Sequence, residues 1–117
     1  MKSIMQDKDD HTCYLCRKLH DNYATYTYIE HHHVIFNAHN RSLSDKYGLI
    51  INLCMAHHSR NILYADEDQR ERSKESVHIN PTIREMTCID AQIAFKKRFP
   101  DKDFKEIFGI NYLQEDL

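Results

Sequence analysis

Cys13 and Cys16 stand two residues apart, and Cys54 and His57 repeat that gap further along the chain. Two such short bites are what one tetrahedral zinc ion requires: thiolate and imidazole donors on a small closed site, with no position left for water. Either member of the His57-His58 pair can face that ion; the matching two-residue gap selects His57. His32, His33 and His58 then remain, joined by His78 just ahead of a capped helix. Neutral imidazole binds divalent cations and, near its unperturbed pKa, serves as a base at neutral pH. So many imidazoles beyond the zinc donors predict a second metal site rather than an exposed strand end. His11, His20 and His39 read as solvated surface histidines.

These side chains need elements to position them. Tyr23 to Phe36 is rich in aromatic and β-branched residues and free of glycine and proline, which predicts a strand. Asn37 to Lys46 reads as a polar loop, and Tyr47 to Leu53 as the second strand of a hairpin. Cys54 to about Leu63 then forms a short helix with His57 and His58 in its early turns. Adjacent strand residues point to opposite faces, so His32 and His33 share a site only at a strand end or an irregularity.

Further on, residues 65–76 carry mixed charges without an apolar face and read as a solvated helix extension or a loop. Asn80-Pro81 is a capping and first-turn pair. Ile83, Met86, Ile89 or Asp90, and Ile93 recur at helical spacing, predicting an amphipathic helix over 81–99 with Cys88 in the core. Pro100 stops it; Asp101 caps a last short helix that turns Phe104, Ile107 and Phe108 inward, and Gly109 suits its end. Residues 1–12 are polar and read as a loose tail before Cys13.

The chain's 117 residues make one small domain, 1–117, and 41% hydrophobic residues is little with which to build a core. A metal crosslinking distant segments would offset that shortfall. With 18 acidic against 16 basic residues the formal charge is -2, so there is no overall basic footprint of a nucleic-acid binder. Positive charge at a phosphate would have to come from local patches or from metal ions. No signal-peptide pattern precedes the cysteines and no apolar run is long enough for a bilayer, which predicts a soluble cytoplasmic protein whose cysteines bind metal rather than pair. Thioredoxin-like redox chemistry at Cys13/Cys16 lacks its parallel strand-helix-strand setting, and Arg17-Lys18 favours thiolates there.

Taken in order, Cys13/Cys16, His32-His33-Val34-Ile35-Phe36, Asn40-Arg41 with the run to Leu49, Leu53-Cys54 leading to His57-His58, and Val77-His78-Ile79-Asn80 resemble the HNH (His-Me finger) endonucleases. The resemblance is closest to the small HNH proteins of phages and prophages of bacteria, and Phe104 to Leu113 is also similar to that group. It implies an α+β fold: a zinc-stapled ββα-metal motif, hairpin then helix, closed by two C-terminal helices. It also implies metal-dependent hydrolysis of DNA phosphodiesters to 5′-phosphate and 3′-hydroxyl ends, in recombination, DNA processing or packaging in a bacterial or phage-infected cell.

Residue by residue, the resemblance makes Cys13, Cys16, Cys54 and His57 the structural zinc ligands and His33 the general base that deprotonates water. His32, His58 and His78 would hold one divalent cation opposite the scissile phosphate and the leaving oxygen. Magnesium or manganese is the implied working ion, although an imidazole-rich site binds nickel or zinc more tightly. Asn40 matches the phage subgroup's Asn-Arg and would orient the base. The wider HNH pattern sets its asparagine a few residues before the second strand's cysteine, where this chain has Tyr47-Gly48-Leu49, so Asn52 is the alternative. Arg41 and Arg60 are candidate phosphate contacts. Two other readings stand beside the nuclease: a non-catalytic zinc-finger module binding nucleic acid or protein, and a regulatory protein that uses an HNH-like fold to inhibit or recruit another protein.

Overall fold

A computed structural model describes residues 2–36, 39–58 and 66–113. The fold is α+β, in the order α1 (Tyr14–His20), β1 (Glu30–His33), α2 (Asn40–Tyr47), β2 (Ile50–Leu53), α3 (Met55–His58), α4 (Glu67–Ser73), α5 (Pro81–Arg98) and α6 (Phe104–Phe108). β1 and β2 pair antiparallel, Glu30 opposite Leu53 and His33 opposite Ile50. Among the described residues no helix is long and apolar enough to cross a membrane.

The hairpin is much shorter than Tyr23 to Phe36 and Tyr47 to Leu53 suggest. β2 has only four residues to offer, because Gly48 ends α2 in the left-handed conformation and Cys54 opens the second knuckle. A strand cannot outrun its partner, so the β-prone residues before Glu30 go unpaired except for an isolated bridge between Thr12 and Thr25. Tyr23 and Tyr28 are accordingly exposed.

The stretch expected as a polar loop contains α2. Its Gly48 N–H reaches the Asp45 carbonyl and the Leu49 N–H the Ser44 carbonyl, the paired bonds of a Schellman stop that needs a positive φ at Gly48 (74°). Ser44 Oγ then donates to the Ile35 carbonyl and accepts from the Ile35 N–H, holding α2 against the exit of β1.

The N-terminal residues are no loose tail. The Ile4 N–H bonds the Gly48 carbonyl, Ser3 Oγ donates to the Ile50 carbonyl, and Gln6 Oε1 accepts the Asn52 N–H, so residues 3–6 occupy what would otherwise be the open edge of β2. Asn52 Nδ2 adds bonds to the Asp7 and Asp10 carbonyls.

Leu15, Val34, Ile35, Leu49, Ile51, Leu53, Val77 and Phe95 are fully buried in one core. At one end of that core Tyr47, Phe95, Phe99, Phe104 and Phe108 meet ring to ring, with Phe104 and Phe108 stacked 4.5 Å apart.

Asn80 caps α5 by accepting from the Thr82 and Ile83 N–H groups, with Pro81 in the first turn, and Cys88 is buried. The packed face is rotated from the expected stripe: Thr87, Cys88, Ala91, Gln92 and Phe95 are inside, while Ile93 is 43% exposed. Gln92 decides this, since it donates to Asn111 and accepts from the Tyr112 N–H, pinning the C-terminal segment to its own face. Asp103, not Asp101, caps α6, and Gly109 ends it at φ 79°. α4 buries no residue and is stabilised by its own capping box between Asp66 and Gln69. The expected helical run past His58 to Leu63 lies outside the described residues.

Candidate functional site

Cys13 caps α1 and Cys16 sits in its first turn, so the helix start holds both thiols on one side. Cys54 directly precedes α3, and the His57 N–H bonds the Cys54 carbonyl, which folds the second knuckle in the same way. The four side chains meet in the core, all buried, with ligand atoms within 4.8 Å of one another. His57 Nδ1 lies 3.4 Å from Cys13 Sγ, 3.5 Å from Cys16 Sγ and 3.4 Å from Cys54 Sγ. A tetrahedral ion with Zn–N of about 2.0 Å and Zn–S of about 2.3 Å separates nitrogen from sulfur by about 3.5 Å. The four residues are therefore placed to bind a metal ion with the dimensions of structural zinc.

The electrostatics agree. Bonds with Cys13 and Cys16, and then His57, hold the Cys54 thiol well below its ordinary range; bonds with Cys16 and Cys54 push Cys13 far above it. In a buried group this tight, one thiolate forms at the expense of the next. A divalent cation bound among them would offset that competition between Cys13 and Cys54.

Two partners of this group were not legible beforehand. Glu75 Oε1 lies 3.1 Å from His57 Nε2 and 2.7 Å from His20 Nε2. A carboxylate taking the outer N–H of a ligand histidine fixes its tautomer and leaves Nδ1 as the donor to metal. Tyr26 Oη lies 3.2 Å from Cys16 Sγ. Glu75 stands in a charged stretch and His20 among polar residues, so nothing local distinguished either from solvated surface.

His32, His58 and His78 form a second group, with ligand nitrogens within 4.8 Å of one another. Ring centroids are 5.0 Å apart for His32–His58, 5.4 Å for His32–His78 and 4.9 Å for His58–His78. His32 comes from β1, His58 from α3 and His78 from the turn before α5. His32 is 3% exposed, and its Nε2 is buried with no hydrogen-bond partner among the described residues. Burial, then the neighbouring His58 and His78, push its pKa down to about 3. The ring is thus neutral at pH 7, with a lone pair available. An orphaned buried nitrogen among further imidazoles fits a cation ligand better than a packing residue. Glu30 Oε1 lies 3.0 Å from His58 Nδ1, the same outer contact that Glu75 makes with His57.

β1 ends at His33, and His32 and His33 share one pocket of about 310 Å³ with His31, Phe36, Arg41, His58 and His78. His33 Nε2 is 3.4 Å from Asp45 Oδ1 on α2. The structure pairs His33 with this carboxylate rather than with either asparagine: Asn40 Nδ2 donates to the Phe108 carbonyl, and Asn52 Oδ1 lies 2.8 Å from His31 Nδ1. Arg41, exposed at the start of α2, is brought to the pocket, whereas Arg60 lies outside the described residues. Beyond Phe36 runs a wider, mostly apolar groove of about 1020 Å³.

Compared with protein-family models, with curated proteins and with solved structures, the chain has no significant match.

Proposed function

We propose that this protein is a metal-dependent DNA endonuclease of the HNH type. The reading is carried by one observation: two further imidazoles, His58 and His78, converge on His32 Nε2, which has no hydrogen-bond partner among the described residues, and a fourth histidine, His33, and Arg41 line the same pocket. A divalent cation held by His32, His58 and His78 would supply positive charge to the scissile phosphate and the leaving 3′ oxygen. His33 takes the proton from the attacking water, with Asp45 holding its other side. Arg41 contacts a phosphate oxygen. The products carry 5′-phosphate and 3′-hydroxyl ends, and the place of action is the cytoplasm of a bacterial or phage-infected cell, in recombination, DNA processing or packaging.

Nicking of supercoiled plasmid by wild type and His33→Ala, in magnesium, manganese, nickel and zinc, tests this. Removing a general base costs about 10²–10⁴-fold. Cleavage that falls by that factor in a folded, zinc-loaded His33→Ala supports the reading; equal cleavage by both proteins rejects His33 as the base.

The net charge of -2 favours a second reading, a zinc module that binds nucleic acid or protein without cutting. It expects one bound metal per chain and no cleavage in any of the four metals.

A further inference from the structure

His58 and His78 belong to different segments, yet their rings must hold a fixed spacing if they are to share an ion. Two backbone connections set it. The Val77 N–H donates to the His57 carbonyl at 3.0 Å. Ser76 Oγ donates to the His58 carbonyl at 3.2 Å and accepts from the His78 N–H at 3.2 Å. Ser76 is fully buried, which keeps its hydroxyl out of bulk solvent. One hydroxyl therefore bridges the main chains of two of the three histidines, using its donor on one and a lone pair on the other. The bond to His78 alone would be a local turn of the serine type; the bond to His58 crosses to α3 and has no local purpose.

We propose that Ser76 is a positioning residue for the three-histidine group, setting the distance between His58 and His78 and through it the affinity for a divalent cation. The inference rests on the reading that these histidines hold a cation. Ser76 touches neither cation nor substrate; it acts through the two backbones. Ligand geometry must be kept within about 0.5 Å for full affinity, and outer partners of metal ligands typically account for 10–100-fold.

The test fills the cysteine group with zinc and titrates cobalt(II) into wild type, Ser76→Ala, Ser76→Thr, His78→Ala and the Ser76→Ala/His78→Ala double variant. The visible bands of nitrogen-ligated cobalt and calorimetry are the readouts. Ser76→Ala is expected to weaken cobalt binding about tenfold or more with zinc content unchanged, and Ser76→Thr, which keeps the hydroxyl, to restore it. In the His78→Ala background, Ser76→Ala should cost little further, because the spacing it sets no longer matters. Equal affinity in wild type and Ser76→Ala overturns the proposal, as does an equal loss in both backgrounds. A Ser76→Ala chain that cannot retain zinc also overturns it, placing the hydroxyl in the stability of the whole fold. Wild type that binds no cobalt beside its zinc rejects the three-histidine site itself.

Discussion

His57 and His58 are consecutive, and each belongs to a different group of side chains that could hold a metal ion: His57 Nδ1 faces three sulfurs at 3.4–3.5 Å, while the His58 ring stands 5.0 Å from His32 and 4.9 Å from His78. Successive residues on a helix point about 100° apart. A single turn, α3, can therefore carry one ligand inward to the core and the next sideways to the pocket.

The two substitutions should accordingly separate. His57→Ala removes a donor from a buried group whose metal supplies folding energy, so it should lose zinc and melt without a cooperative transition. His58→Ala should keep its zinc and its far-UV spectrum while binding a second cation much more weakly. Chelation of wild type should reproduce the first phenotype, and returning zinc should reverse it. Metal analysis with thermal melts checks all three; zinc retained in His57→Ala and lost in His58→Ala would exchange the two assignments.

Glu75 predicts an intermediate effect. Glu75→Gln keeps the size of the side chain and removes the charge that sets the His57 tautomer. Zinc affinity, measured by competition with a chromophoric chelator, should fall about 10–100-fold with the fold intact. Unchanged affinity would reduce Glu75 to a surface partner of His20.

Gly48 has two reasons to be glycine. Its φ is +74°, and a Cβ there would come within 2.4 Å of the Lys2 carbonyl oxygen. Gly109 shares only the first, at φ +79° with nothing within 4 Å among the described residues. Gly109→Ala should cost about 1–2 kcal/mol, the usual cost of the left-handed region to a residue with a Cβ. Gly48→Ala should cost more, about 2–3 kcal/mol, or release residues 2–6 from β2. Melts compare the two stabilities, and amide exchange at Ile4 reports the release.

The parts legible in the sequence were those governed by local rules. Asn80-Pro81 announces the start of α5, and Cys13/Cys16 with Cys54/His57 announce the metal group, because the chemistry sits within a few residues. What was hidden depends on distant partners. α2 has a mixed, mostly polar face and is recognisable only through the Gly48 stop, which reads equally well inside a strand. Ser3 and Gln6 look like tail residues until β2 offers them unpaired backbone groups. Gln92 turns α5 away from Ile93 by meeting Asn111 and Tyr112, which no helical period reveals. Glu75, Glu30 and Ser76 bond to the grouped histidines or to their main chains, and their residue types are those of any solvated segment.

His32 makes the pH dependence of stability a further test. Its folded pKa is about 3, while an unfolded histidine titrates near 6.5. Above pH 6.5 both states leave it neutral and it contributes no slope. As pH falls below 6.5 the unfolded chain takes up a proton that the folded chain refuses, so protonation favours unfolding and stability declines with acid. Between pH 6.5 and 5.5 this amounts to about 1 kcal/mol. His32→Phe removes the titrating group, so its stability should fall less than that of wild type over the same interval. Urea melts on zinc-loaded protein without a second cation, compared where both proteins retain full zinc, isolate the difference from acid release of the thiolates. A wild type whose stability is flat relative to His32→Phe would mean that the folded protein does protonate His32, and the buried, neutral imidazole on which the three-histidine group depends would be lost.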